Sequence, residues 1–229
     1  MATRRERLQN FAKKDLANKI ISEANRAVQT CDAECLKKSN KSVLKKRFNE
    51  AKKSEINDPN ALALATSDKN GVPSVRMVLL KGFSLKGFVF YTNLESKKSQ
   101  DLKINNKASM CFHWKSLLRQ IRIVGKINLV NSSEADKYYE SRAYGSRIGA
   151  WASKQSTILN TREDLYKSID KYKKKFPDKN KVPRPNHWSG WCLNPSEIEF
   201  WLDGENRIHE RLKYILDKKN IWQKVLLNP

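Results

Sequence analysis

The sequence predicts a mainly β protein with α: antiparallel strands that close, or nearly close, into a barrel, peripheral helices outside it, and a helical N-terminal extension. Three observations carry that expectation. The hydrophobic period switches from helical to alternating at Ala61. Turn-forming stretches such as "SDKNG", "DGEN" and "DKKN" separate the alternating runs at hairpin distance. Two longer runs with helical spacing open on capping residues.

Residues 1 to about 58 read as polar and helical, and "SVLKKRFNEAKKSE" sets Leu44, Phe48 and Ala51 on one stripe before Asp58-Pro59 ends the helix. From there "ALALAT" leads through the Asn-Gly turn into "VPSVRMVLLKG", and "GFVFYTN" follows. "ASMCFHW" and "RQIRIVGKINLV" continue the strands, the second alternating Ile121, Ile123 and, after a glycine, Ile127 and Leu129. The helix "SSEADKYYESR" has Ser133 three residues before Asp136, a cap-like start. Thr161 before Asp164 does the same for "REDLYKSIDKYKKKF", whose Leu165, Ile169, Tyr172 and Phe176 face inward and whose lysines face water.

"KVPRPNHWSGW" reads as a connection, after which strands return as "IEFWL", "RIHERLKYIL" and "IWQKVLL". Seven or eight strands result. On a strand, Arg207, His209 and Arg211 leave from one face and can meet one ligand, while Glu210 faces outward. The expected division is a helical, partly flexible extension over residues 1–42 and a barrel domain over 43–229.

The formal charge of +22 suggests nucleic acid first. Its lysines run through every segment rather than gathering with aromatics on one element, so a solvated basic surface without specific nucleic-acid binding is expected. Cysteines at 31, 35, 111 and 192 fit neither a disulfide framework nor a zinc site; Cys31 and Cys35 would share a helix face without further ligands nearby. No apolar run is long enough to span a membrane, and the basic start lacks a secretory apolar core, which points to a soluble cytoplasmic protein without bound metal.

No nucleophile elbow, phosphate loop, dinucleotide fingerprint or metal pair is present. What recurs is a cation beside a strand end or turn: Arg76 and Lys81 in "RMVLLKG", Lys97 and Lys98 in "ESKKS", Arg142 with Ser146 in "SRAYGS". Such groups suit small phosphates, where charge-assisted hydrogen bonds are strongest.

The segments "RMVLLKGF", "GFVFYTN", "FHW", "RQIRI", "SRIGAWASKQS", "PRPNHWSGW", "IEFW", "RIHER" and a terminal "LNP" together resemble, in order and spacing, the pyridoxamine 5'-phosphate oxidase family over about residues 43–229. The resemblance implies an FMN-binding split barrel that works as a homodimer, with FMN in clefts between the subunits. It implies oxidation of pyridoxine 5'-phosphate or pyridoxamine 5'-phosphate to pyridoxal 5'-phosphate by hydride transfer to the flavin, with O2 reduced to H2O2.

By motif, the residues matching FMN contacts are the run Arg76, Met77, Val78, Leu79, Leu80 and Lys81, then Tyr91 and Thr92, Lys97 and Lys98, Gln120, Gln155 and Ser156, Trp201 and Arg211. Lys81, Tyr138, Arg142 and Ser146 match the residues gripping the substrate phosphate, and Arg207 with His209 match a catalytic pair over the pyridine ring. Two departures stand out. Lys97-Lys98 replaces the Arg-Lys pair of many relatives, and "SRAYGS" replaces an "SRPRGS"-type loop, with Ala143 and Tyr144. The N-terminal arm offers no alignable lid residue. Two alternatives are a split-barrel flavin reductase or flavin-binding protein acting on another substrate, and a basic nucleic-acid-binding protein. Arg142, Ser146, Arg207 and His209 argue against the first, and the dispersed charge against the second.

Overall fold

In the computed structural model, residues 33–84 and 86–229 are described, with the backbone alone for residues 33–41. The expected behaviour of residues 1–32 lies outside these residues, and so does Cys31, so the expected Cys31 and Cys35 helix face is not covered by them.

Helix α1 (Ala33–Ser54) packs by the predicted stripe: Leu44, Phe48 and Ala51 are buried. Phe48 closes one end of the core, stacking on Phe83 at 5.4 Å and meeting Phe112 and Trp114 edge-on at 5.1 and 5.2 Å. The strands follow as β1 (Ala61–Ser67), β2 (Pro73–Leu79), β3 (Gly82–Ser84) and β4 (Gly87–Asn93). Helix α2 (Lys97–Ile104) then leads to β5 (Lys107–Trp114) and β6 (Arg119–Leu129). Three helices come next, α3 (Ser132–Glu140), α4 (Tyr144–Ala152) and α5 (Arg162–Lys175), before β7 (Trp188–Leu202), β8 (Glu210–Leu216) and β9 (Trp222–Leu227).

All nine strands belong to one antiparallel sheet in the order β2-β1-β5-β6-β7-β4-β3, with β8 on β7 and β9 on β8. Alternation explains the core. β1 buries Leu62 and Leu64, β5 buries Met110, Phe112 and Trp114, and β6 buries Ile121, Ile123 and Ile127, each aliphatic or aromatic side chain being worth roughly 1.5–3 kcal/mol. Phe112 is wholly buried between the rings of Phe48 and Trp114, and its truncation to alanine should cost about 3–5 kcal/mol.

The barrel splits at β7. Along one edge β7 pairs with β6; along the other its first half pairs with β4 (Asn93↔Trp188 to Phe88↔Leu193) and its second half with β8 (Leu202↔Glu210 to Glu197↔Ile215). The end of the expected connection, "WSGW", is therefore strand, while residues 181–187 do form a connection. Pro195 is accommodated at a register shift opposite Val124/Gly125, where a side chain on Gly125 would collide with the Asn194 carbonyl.

Other sequence expectations need correction. Asn131, not Ser133, caps α3, its side chain accepting from the Glu134 amide, because the helix starts earlier than the Ser-x-x-Asp spacing implied. The Thr161–Asp164 capping box on α5 is present as expected. The "RIH" of "RIHER" is not strand: Glu205–Arg207 form a 3₁₀ turn in which Asn206 and Arg207 adopt left-handed backbone at φ 55° and 63°, and β8 begins only at Glu210. Gly204 allows this turn, since a side chain there would strike the Ile208 carbonyl. No described helix is long and apolar enough to cross a membrane.

Candidate functional site

Because β2 lies at one end of the sheet path and pairs with β1 alone, a gap opens between it and β4. Helices α2, α3 and α4 roof that gap, making a cleft of about 770 Å³, within the size of small-molecule sites.

One end of the cleft is cationic. Lys97 and Lys98 stand at the start of α2, which follows Ser96, and Arg76 reaches over from β2. Lys98 is buried and donates to Thr92 Oγ1 (2.9 Å), Ser96 Oγ (3.0 Å) and Gln155 Oε1 (2.9 Å). Burial first, and then the Arg76 charge, push its ammonium down to about 8. Burial also lowers Arg76, against the pull of Asp101. A buried and a half-buried cation this close lack a compensating charge of equal size, which is the electrostatic condition of an anion site.

The other end is aromatic. Tyr91 stacks on Tyr138 at 3.9 Å and 14°, and Trp188 lies parallel to Tyr91 at 5.4 Å. The Arg142 guanidinium sits 4.6 Å over Trp188, and its buried Nη1 has no hydrogen-bond partner among the described residues. Burial lowers the Arg142 pKa against the opposing pull of Tyr138 and Tyr139. An unsatisfied buried guanidinium nitrogen beside Ser146 in the cleft wall is poised for a second anion. Met77, Val78, Leu79, Lys81 and Ser156 complete the wall. Leu80, expected among the contacts, is a core residue at 5% exposure, its backbone tied to Asn60 on both sides.

The remaining expected residues lie elsewhere. Gln120, Trp201, His209 and Arg211 line a second cavity of about 350 Å³ beside α1, β8 and β9. The His209 ring packs 4.6 Å from Trp201. Its Nδ1 lies 3.3 Å from the Gly204 amide and 3.1 Å from an Asp203 carboxylate oxygen, so a neutral ring accepts from the first and a protonated ring donates to the second. Arg211 donates from Nε to Glu199 (2.8 Å) and from Nη1 to the Asn228 carbonyl (3.0 Å). Arg207 is exposed on the turn and lines neither cavity, so the expected one-face row of Arg207, His209 and Arg211 does not form. Glu210, expected to face outward, lines this cavity instead, electrostatically coupled to Arg47 of α1.

Sequence reasoning missed Trp188, visible only as one more aromatic in "HWSGW", and the polar residues Thr66, Ser74 and Asp101 behind Arg76, which carry no periodic signal. Among the described residues no cluster of potential metal ligands occurs.

The family model described as pyridoxamine 5'-phosphate oxidase matches residues 48–176, more than half of the chain. The chain belongs to the pyridoxamine 5'-phosphate oxidase family. A second model of that family, the pyridoxine 5'-phosphate oxidase C-terminal dimerisation region, matches residues 188–229, which comprise β7, β8 and β9. The pyridoxine/pyridoxamine 5'-phosphate oxidase of Pelagibacter ubique is 67% identical over 182 residues, 80% of this chain and 88% of that protein. That of Agrobacterium fabrum is 52% identical over 181 residues, 79% and 87% of the two chains. Among solved structures, PhzG from Burkholderia lata in complex with tetrahydrophenazine-1-carboxylic acid superposes with a TM-score of 0.77 at 31% identity, covering 82% of this chain and 91% of that one. A pyridoxamine 5'-phosphate oxidase-related, FMN-binding protein from Nostoc punctiforme superposes at 0.66 and 16% identity over 82% and 96%, which shows the shared split-barrel fold.

Proposed function

We propose that the protein is an FMN-dependent pyridoxine/pyridoxamine 5'-phosphate oxidase, forming pyridoxal 5'-phosphate with O2 as the electron acceptor and acting as a homodimer. The observation that carries the reading is the cleft with a cationic end at Arg76, Lys97 and Lys98 and a second cation, Arg142, over the aromatic stack of its other end, in a chain 67% identical to an oxidase of that name. A ribityl phosphate fits the cationic end formed by Arg76, Lys97 and Lys98. A substrate phosphate fits Arg142, whose buried nitrogen is otherwise unsatisfied, together with Ser146, Tyr138 and Lys81.

FMN, when bound, supplies the two-electron redox chemistry. The protein's share is to bind, orient and control charge. Thr92, Gln155 and Lys98 form one hydrogen-bonded group that fixes the phosphate end. Arg142 fixes the substrate's phosphate, and with it the distance of the substrate ring from the cofactor. His209, oriented by Trp201 and by the turn at Asp203 and Gly204, is placed to hold or release a proton at Nδ1.

His209 and Arg211 line a cavity separate from the cleft in one chain. We infer that a second copy brings them to the cleft, a reading supported by the match of β7–β9 to a dimerisation region and by exposed Leu226 on β9. The deciding experiment loads the protein with FMN and adds substrate without oxygen. Pyridoxine 5'-phosphate should bleach the yellow flavin, and unphosphorylated pyridoxine should do so far less. Equal bleaching by both would remove the role given to Arg142 and favour a flavoenzyme acting on a non-phosphorylated ring.

A further inference from the structure

Asp101 lies on α2 one turn beyond Lys97, only 2% exposed, and the function proposed above gives it no part. A buried carboxylate beside an anion site opposes binding by repulsion, so its presence there calls for a compensating contribution.

Its contacts supply one. Asp101 Oδ2 accepts from Thr66 Oγ1 (2.8 Å) and Ser74 Oγ (2.9 Å). The same two hydroxyls accept from Arg76, through Nη1 to Thr66 (2.8 Å) and Nη2 to Ser74 (2.6 Å). The proton directions are forced. A carboxylate only accepts, a guanidinium only donates, and each hydroxyl has one proton; although the two hydroxyls also lie 3.1 Å apart, only protons pointing to Asp101 satisfy both shorter carboxylate contacts, leaving lone pairs for Arg76. The Leu64 and Ser74 carbonyls, at 3.1 and 3.2 Å from Nη1, hold the fork from the backbone side. Asp101 Oδ1 meanwhile pairs with Lys97.

The charges also balance. Arg76, Lys97 and Lys98 set against Asp101 leave two positive charges, matching a phosphate monoester dianion, whereas three uncompensated cations would repel one another before a ligand arrived.

We propose that Asp101 is the positioning residue of this cradle: it orients the Arg76 guanidinium through Thr66 and Ser74, anchors Lys97 directly, and sets the cradle's net charge to that of a phosphate monoester. The proposal rests on reading the cationic end of the cleft as the flavin phosphate site. Asp101→Asn preserves shape but presents an amide N–H to one hydroxyl or to Lys97, reversing a proton direction or setting a donor against a cation.

The test compares dissociation constants for FMN and for riboflavin, which has the same ring and no phosphate, by flavin fluorescence. The proteins are the wild type, Asp101→Asn, and the double variant Thr66→Val/Ser74→Ala, which keeps the carboxylate and remains informative if Asp101→Asn does not fold. Wild type should prefer FMN strongly. Both variants should lose about tenfold or more in FMN affinity while riboflavin affinity stays within about twofold. If the wild type binds both flavins equally, the phosphate-site reading itself fails. If the wild type prefers FMN but the folded variants keep that preference, or weaken toward both flavins alike, the role assigned to Asp101 is overturned and the phosphate site stands.

Discussion

His209 packs its ring 4.6 Å from Trp201, and Arg211, two residues further on, pairs with the same Trp201 across β7 and β8. Trp201 therefore packs on the one and lies opposite the other in the sheet, while Arg207 stands apart on a left-handed turn. His209→Ala should leave the protein yellow with turnover reduced roughly ten- to hundredfold. Arg211→Ala should instead weaken FMN retention by a similar factor, and it leaves the buried Glu199 carboxylate with only the longer Arg122 pair at 3.4 Å. Flavin titration beside steady-state kinetics separates the two classes, and a colourless His209→Ala protein would contradict the division.

With Lys98 at the proposed flavin phosphate site, flavin affinity should depend on pH. Its ammonium, lowered to about 8 by burial and by Arg76, would be raised by a neighbouring phosphate dianion. Above pH 8 binding then takes up a proton, so FMN affinity should fall with rising pH, approaching tenfold per unit. Folding of the flavin-free protein should respond oppositely. Between about 8 and the ordinary lysine value of 10.5 the unfolded chain binds more protons, so stability rises with pH. Fluorescence titrations and urea denaturation from about pH 7 upward check both slopes, and Lys98→Met should flatten each.

Glu210 links β8 to α1. Arg47 is held down to about 10 by burial and by the neighbouring Arg119, while Glu50 and Glu210 pull it back up. Removing Glu210 leaves two largely buried arginines with less compensation. Glu210→Ala should destabilise the fold by about 1–3 kcal/mol, well beyond the roughly 0.5 kcal/mol of an ordinary surface change. A urea midpoint unchanged from wild type would return Glu210 to the solvent face.

Strand alternation made most of the sheet legible, since β1, β5 and β6 bury every second residue along most of their length. The failures have identifiable causes. Helix α2 buries Lys98, Ser99 and Asp101 beside a single apolar residue, Leu102, so its inward face carries no apolar stripe to read. The "WSGW" read as connection is the start of β7, and the bulge opposite Gly125 carries that strand through Pro195 into "IEFWL". In "RIHER" the alternation of residue types is real, but left-handed Asn206 and Arg207 interrupt the strand it suggested, leaving Ile208 68% exposed. The cleft lining was legible through the order and spacing of its segments, not through hydrophobic periodicity. The residues supporting Arg76 were invisible because isolated Thr, Ser and Asp look alike on any surface.

The separation of the two cavities gives the most discriminating prediction. If each working site combines the cleft of one chain with the Arg211 region of a second, variants damaged in different halves must complement each other. Lys98→Met removes a cradle cation, and Arg211→Ala damages the other cavity. Each variant alone has two defective sites per dimer. A mixed dimer has one doubly damaged site and one intact site, because the intact cleft of the Arg211→Ala chain meets the intact Arg211 of the Lys98→Met chain. Equal amounts unfolded together and refolded should give mixed dimers as about half of the population, hence about a quarter of wild-type sites. FMN titration counts those sites and activity should follow the same fraction. Recovery absent after verified subunit exchange would mean that each chain builds its site alone.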